Sequence, residues 1–198
     1  RFLFFLVIIM FYLIFNYVEN SLTPNIMAIA EAQAKNIAVE AINKTVKEKI
    51  AKDVQYKDLI SIHKDTSGQI TLVQINTIKI NQLEADTILE VINVLREATM
   101  EGVSLPIGAA TGSKLFSRYG PKIKVPLIPA GTAQVNTIEA FEEAGINQTR
   151  HRILFQIIAD IRIVLPYIDS VITVKTDVPL AETIIIGDVP GALLNFRY

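Results

Sequence analysis

The first residues of the chain form an apolar run that limits the possible folds more than any other feature. Residues 2–18, FLFFLVIIMFYLIFNYV, contain no charged residue, Arg1 precedes them and Glu19 is the first acid after them. A bilayer core of about 30 Å needs about 20 apolar helical residues, whereas the core of a signal peptide has about 7 to 15. No small-x-small cleavage site follows directly, so the run predicts an uncleaved transmembrane helix within residues 1–19. A cleaved signal peptide and a buried helix are the alternatives.

The charges beside the run indicate its orientation. Arg1 lies before it, and no basic cluster follows Val18 directly. Because cytoplasmic flanks of spanning helices are enriched in Lys and Arg, we expect a cytoplasmic N-terminus and residues 20–198 outside the cytoplasm. The sequence starts without a methionine, so we also expect further residues before Arg1.

The remaining residues have the length and charge balance of one domain with a substantial core. The whole chain has 19 basic and 20 acidic residues and a formal net charge of −1, which argues against a nucleic-acid-binding surface. It has no cysteine, which excludes disulfides, thiolate metal sites and cysteine nucleophiles.

A first amphipathic helix is predicted after the anchor. Thr23 and Pro24 suit a helix start, and apolar residues with a spacing of three and four continue towards Lys52. This helix either lies on a sheet or binds a partner. The predicted apolar stripe comprises Ile26, Ile29, Ala30, Gln33, Ile37, Ala41, Ile42, Val46 and Ile50.

Two strands and a second helix are predicted next. Residues 57–63 and 69–75 suit short strands, and the loop between them has Gly68 near its end, as in a hairpin. The pattern over residues 78–101 predicts an amphipathic helix that stops at Gly102. The predicted order is therefore α-β-β-α.

Residues 102–131 are rich in glycine and proline. Because these residues interrupt helices and strands, only short strands at 103–105 and 122–127 are predicted there. The helix-breaking residues there are Gly102, Pro106, Gly108, Gly112, Gly120, Pro121, Pro126, Pro129 and Gly131.

A β-meander is predicted after this segment. Its firmest strand is 150–165, where one parity is apolar apart from His151 and the other contains most of the charged residues. Residues 171–177 and 182–186 suit further strands, and residues 134–141 are a weaker candidate.

The predicted fold class is α+β, with an N-terminal transmembrane helix, an α-β-β-α unit and a C-terminal antiparallel β-meander. Residues 1–19 form the anchor and residues 20–198 the extracytoplasmic domain. Within that domain the α-β-β-α part covers 20–101, the Gly/Pro-rich connection 102–131 and the β-rich part 132–198.

No residue pattern predicts catalysis. The segment from Gly108 to Lys114 is one residue short of a phosphate-binding loop, and Ser113 and Lys114 point in opposite directions on an extended chain. His63 and His151 lack sequence-near partners for a metal or a relay. The pair Glu142-Glu143 suits a solvated turn better than acid–base chemistry. We expect no enzyme activity, cofactor or metal.

Short motifs in a fixed order do indicate a family. They are Leu105-Pro106-Ile107-Gly108 with Thr111-Gly112, Gly120-Pro121-Lys122-Ile123, Gly145-Ile146-Asn147, Ile163-Val164-Leu165-Pro166, and Val178-Pro179 to Gly187-Asp188-Val189-Pro190. With Pro24 and Asn36-Ile37-Ala38, this set resembles the YunB family of sporulation proteins of endospore-forming bacteria. The resemblance implies a single-pass membrane protein made in the mother cell, with its domain facing the space between membranes. It brings no established catalytic residues.

These observations predict a non-catalytic domain that acts in assembly or structure during spore formation. Its expected partners are membrane lipid through the anchor, another membrane or envelope protein, and further copies of itself. The alternative is a module that binds or processes peptidoglycan or a ligand. Glycan-processing enzymes usually need two carboxylates in a cleft, and only Glu101 borders the Gly/Pro segment. That segment either contacts a partner or only connects. The candidate contact residues are Pro106, Gly108, Thr111, Gly112, Gly120, Pro121 and Lys122.

Overall fold

The computed structural model of the protein has an α+β fold, which confirms the predicted class. It describes residues 2–52, 54–66, 68, 70–111, 115, 117–145, 148–166 and 168–186. Its main elements are α1 (Phe2–Tyr17), α2 (Thr23–Thr45), α3 (Tyr56–Leu59), β1 (Ile60–Lys64), β2 (Ile70–Ile75), α4 (Thr77–Thr99), β3 (Val103–Pro106), α5 (Ile107–Ala110), β4 (Lys122–Val125), β5 (Leu127–Gly145), β6 (Gln148–Leu165) and β7 (Ile168–Ile186).

The first two helices are parts of one continuous helix, Phe2–Ile50, which contains π-helical turns at Val18–Leu22 and Val46–Ile50. Helix α2 begins at Thr23 as predicted, but the predicted capping role of Thr23 is wrong, because Thr23 has helical angles (φ −61°, ψ −48°) and its N–H donates to the Val18 carbonyl. Pro24 has no N–H, and its ring clashes with the carbonyl four residues earlier in a regular α-helix. A wider π turn before the proline relieves this conflict, so the helix continues through it.

The apolar side chains of α1 are exposed. Their exposed fractions run from 48% at Ile8 to 83% at Phe2, and no residue of α1 is buried. Within the described residues, Phe2–Ile50 is the one helix that is long and apolar enough to cross a membrane. Its composition and exposure indicate a membrane anchor.

The buried stripe of α2 consists mainly of small residues. Ala30, Ala34 and Ala38 are fully buried, whereas Gln33 of the predicted stripe is exposed. The Ser170 hydroxyl donates to the Glu31 carboxylate at 2.7 Å, which places α2 beside the start of β7. Alanine side chains are small enough to let α2 lie close to β7. The predicted stripe followed larger side chains and included Gln33, so it missed the buried Ala34 and Ala38.

The hairpin of β1 and β2 is antiparallel and is joined by the predicted loop. Its first strand begins later than predicted, because Tyr56–Leu59 forms the short helix α3. Gln55 and Asp58 form a capping box at the start of that helix. Helix α4 and its buried residues Leu83 and Leu95 agree with the predicted pattern.

The C-terminal sheet is a meander in the order β5-β6-β7. In β6 every second residue from His151 to Leu165 is buried, which confirms the predicted parity. The flanking strands are longer than predicted, and the separate pieces expected over 171–177 and 182–186 form the single strand β7. Pro179 does not interrupt β7, because an edge strand has unpaired N–H positions where proline removes no ladder hydrogen bond.

The described residues form two compact units. The first contains residues 2–42, 92–132 and 159–174, and its core includes Leu95, Val103, Val125, Ile161 and Ile163. The second contains residues 43–91, 133–158 and 175–186, and its core includes Leu59, Val91, Ile153, Phe155 and Ile157. The sequence-based division into an anchor and one domain remains a prediction.

Candidate functional site

The Gly/Pro segment forms a closed hairpin in the first unit. Strands β3 and β4 pair from Val103 with Val125 to Pro106 with Lys122. Beyond the strands, the N–H groups of Ile107 and Gly108 donate to the carbonyls of Pro121 and Tyr119, each at 3.0 Å. The hairpin therefore brings residues 106–108 beside residues 119–122.

Gly102 and Gly120 of this segment have backbone conformations that favour glycine. Gly120 has φ +103°, a backbone angle that residues with a Cβ atom rarely adopt. Gly102 has φ +67°, and a Cβ there would lie 2.5 Å from the Val125 carbonyl oxygen. These two positions constrain the backbone of the hairpin, and whether the segment contacts a partner or only connects stays a prediction.

The predicted contact residues differ in exposure. Thr111, Gly120, Pro121 and Lys122 are exposed, Pro106 is half-buried and Gly108 is buried. The Thr111 hydroxyl donates to the Gly108 carbonyl at 2.8 Å. Gly112 lies outside the described residues, as do Ser113 and Lys114 of the rejected phosphate-loop and Ser-Lys hypotheses.

Two large residues of the same hairpin were missed by sequence reasoning. Leu115 is 80% exposed and Tyr119 is 71% exposed. Their signal in the sequence is an aliphatic and an aromatic side chain in a stretch otherwise rich in glycine. The hairpin contacts the long helix nearby, because the Asn25 side-chain amide donates to the Ala110 carbonyl at 2.8 Å.

The second unit contains a buried polar cluster around His151, which is fully buried on β6. Its Nδ1 lies 2.7 Å from the Tyr56 hydroxyl, and its Nε2 lies 3.5 Å from a carboxylate oxygen of Glu139. Phe141 stacks on the imidazole, with 4.2 Å between ring centroids and 6° between planes. Sequence reasoning found no partner for this histidine because its partners come from α3 and β5.

The electrostatics of the cluster keep the tyrosine protonated. Burial, and after it the negative charge of Glu139, raise the pKa of Tyr56 above its usual value of about 10. On either side of His151, Arg150 faces Glu182 at 3.5 Å and Arg152 pairs with Glu142. A protonated phenol and a covered imidazole suit a structural contact better than a nucleophile and its base.

An open cavity of about 590 Å³ lies elsewhere in the second unit. Three lysines line it together with apolar residues, and one of them, Lys49, pairs with Glu90 at 2.7 Å. The lining residues are Lys49, Ile50, Val54, Lys57, Asp58, Asn76, Lys79 and Leu83. Such a lining can attract an anion that also has a small apolar part.

The other predicted candidates do not form a common site. His63 lies on β1 and is exposed, and Glu142 and Glu143 are both exposed and lie on β5 rather than in a turn. In the part of the chain that the structure describes, no group of three His, Cys, Asp or Glu residues is arranged to hold a metal ion.

Comparison with known proteins agrees with the sequence motifs. The family model of the sporulation protein YunB matches residues 102–192, which include β3 to β7. The sporulation protein YunB of Bacillus subtilis (strain 168) is 25% identical over 183 residues, with 87% of this chain and 72% of that protein covered. No solved structure matches the chain significantly.

Proposed function

We propose that the chain is a membrane-anchored sporulation protein whose extracytoplasmic domain acts in assembly or structure. The predicted resemblance to the YunB family of sporulation proteins is confirmed. The chain also carries an exposed apolar helix that is long enough to cross a membrane. The family match together with α1 is the observation that carries this proposal. The name of the relative states only its part in sporulation, so the role of the domain is argued from this chain's own residues.

The proposed topology has the N-terminus in the cytoplasm and the domain outside the mother-cell membrane, facing the space between membranes. The positive charge of Arg1 before the apolar run supports it. Reporter fusions after Tyr198 test it in sporulating cells. A periplasmic-type reporter should be active and a cytoplasm-only reporter inactive; the reverse pattern, or a shortened chain in the soluble fraction, would contradict the proposal.

The arrangement around His151 supports a non-catalytic role. The histidine is fully buried, and Phe141 covers one face of its ring. Substrate atoms must come within hydrogen-bond reach of a general base, and here Tyr56 already occupies Nδ1. The cluster therefore joins α3, β5 and β6 and stabilises the second unit.

The proposed contact surface is the hairpin of β3 and β4, with Pro106, Thr111, Gly120, Pro121 and Lys122 as its accessible part. Backbone hydrogen bonds hold this hairpin in one shape, and preorganised surfaces lose less entropy on binding. Its proposed partner is another envelope protein or a second copy of the chain.

Site-specific photo-crosslinking in sporulating cells tests the contact surface. A photo-reactive residue at Lys122 should give a discrete crosslinked product. Lys35, an exposed lysine on α2, is the matched control and should give none. Equal products from both positions, or no product from Lys122, would overturn the proposed surface.

The lysine-lined cavity favours a second function, the binding of an anionic ligand such as a peptidoglycan fragment. Lys57 and Lys79 provide positive charge there, while Ile50 and Leu83 provide apolar contact. Titration of the full chain in detergent with soluble peptidoglycan fragments should show saturable binding that the double change Lys57→Glu and Lys79→Glu abolishes. The exposed Lys52→Glu is the control. Absence of saturable binding would remove this candidate.

A further inference from the structure

The apex of the β3–β4 hairpin carries exposed apolar surface. We define the apex as Leu115, Ser117, Arg118 and Tyr119, the described residues between Thr111 and Gly120. The exposed fractions are 80% for Leu115 and 71% for Tyr119. When a partner or a lipid phase covers apolar side chains that are this exposed, the free energy of the system falls, so covering them is favourable.

The position of the hairpin along the helix brings it close to the membrane. The contact between Asn25 and the Ala110 carbonyl fixes the hairpin to the helix. Asn25 comes seven residues after Val18, the last residue of the apolar run, so at a rise of 1.5 Å per residue it lies at most about 10 Å from the end of that run. The headgroup layer adds about 5 to 8 Å on each side of the hydrocarbon core. Tyr119, whose carbonyl accepts from the Gly108 N–H at 3.0 Å, lies in the same part of the hairpin as the Ala110 carbonyl that Asn25 contacts.

The charge of this part of the chain suits an anionic surface. No Asp or Glu occurs from Gly102 to Ile138, a stretch that contains four basic residues. Of these, Arg118 belongs to the apex, and Lys122 and Lys124 follow it on the exposed side of β4. The chain as a whole has a formal net charge of −1, so the positive charge is concentrated here.

We propose that the hairpin apex docks on anionic lipid headgroups of the membrane that α1 spans. Tyr119 suits this position because tyrosine is enriched at membrane interfaces, where its ring contacts acyl chains and its hydroxyl stays hydrated. Leu115 inserts beside it, and Arg118 binds lipid phosphate. The inference rests on the membrane anchor of the proposed function and leaves Pro106, Pro121 and Lys122 for a protein partner. A protein that covers the apex instead is an outcome of the test.

The absence of tryptophan from the sequence permits a direct experiment with single reporters. Full-length Tyr119→Trp and Leu115→Trp variants are reconstituted in vesicles of equal parts phosphatidylcholine and phosphatidylglycerol, with and without brominated acyl chains. Tyr17→Trp marks the end of the apolar run. The exposed Glu40→Trp, about 33 Å beyond Val18 on the same helix, is the aqueous control.

We expect blue-shifted emission and several-fold quenching by brominated lipid for Tyr119→Trp, Leu115→Trp and Tyr17→Trp, with none for Glu40→Trp. Adding Arg118→Glu to Tyr119→Trp should reduce the quenching in these vesicles and change it little in pure phosphatidylcholine, where no anionic lipid is present.

Three results would overturn the inference. If the emission maximum of Tyr119→Trp equals that of the aqueous control Glu40→Trp, the apex lies in water. Shielding of Tyr119→Trp from acrylamide without quenching by brominated lipid shows a second copy of the chain on the apex. Lack of quenching in Tyr17→Trp shows that α1 is not inserted, in which case the proposed anchor fails together with this inference.

Discussion

The Tyr56 hydroxyl lies 2.7 Å from Nδ1 of His151, although 95 positions separate the two residues in the chain. Tyr56 begins the short helix α3, and His151 is buried on β6. This contact attaches α3 to the meander, and the stacked ring of Phe141 covers the same histidine. A polar group buried to this degree destabilises the fold when it loses its partner.

Tyr56→Phe should therefore lower the free energy of unfolding by about 1 to 3 kcal/mol, because it leaves a buried ring nitrogen without a partner. Thermal and denaturant unfolding of the full chain in detergent measure the change. Tyr119→Phe, which alters an exposed tyrosine, should leave the transition unchanged. Equal transitions for Tyr56→Phe and wild type would show that the hydrogen bond contributes nothing.

Stability should depend on alkaline pH through the same tyrosine. The pKa of Tyr56 is raised in the folded state, first by burial and then by Glu139, above an unfolded value of about 10. The unfolded chain therefore loses this proton first, and the associated stability, fully present below about pH 10, is lost as pH rises through the raised pKa. Unfolding midpoints measured across this range should fall less in Tyr56→Phe than in wild type. Parallel curves would contradict the shift.

Phe155→Ala should destabilise the protein by about 3 to 5 kcal/mol, because this side chain is fully buried on β6 and its removal leaves a cavity. Denaturant unfolding monitored by circular dichroism provides the measurement. Leu72→Ala, a change at a side chain that is 53% exposed, serves as the control and should have a small effect. An unaltered melting curve for Phe155→Ala would place the core on the other face of β6.

Ala34→Leu should cost about 1 to 3 kcal/mol, because the small stripe of α2 has no room for a larger side chain. Ala32→Leu adds the same atoms to an exposed position of the same helix and should be close to neutral. The comparison of the two melting temperatures tests whether the close approach of α2 depends on alanine. Similar temperatures would indicate a loosely packed helix.

Lys122→Glu should block spore formation while the purified protein still melts like wild type, because the side chain is exposed and belongs to the proposed contact surface. Charge reversal opposes an anionic partner site and changes little in the fold. Heat-resistant spore counts and protein levels in the membrane fraction are the measurements. Lys35→Glu should sporulate normally. Equal loss of function and stability in Lys122→Glu would assign the segment to folding alone.

Features of the fold that depend on local pattern can be predicted from the residues alone. The uncharged run of α1, the alternation of β6 from His151 to Leu165 and the end of α4 shortly before Gly102 all follow from residue type and spacing. Hydrophobic burial imposes a period of two on a strand with one buried face and a period of 3.6 on a helix, so these elements are visible before any contact is known. The ordered family motifs are also properties of the sequence alone.

Features that depend on contacts between distant parts of the chain become visible in the folded protein and not in its sequence. The helix continues past Pro24 because a π turn accommodates it, and the buried stripe of α2 follows its alanines because they allow a close approach. His151 lacks a partner within a few residues and receives Tyr56, Glu139 and Phe141 from other elements. Hydrogen bonds and packing depend on distance in space, which separation along the chain does not determine.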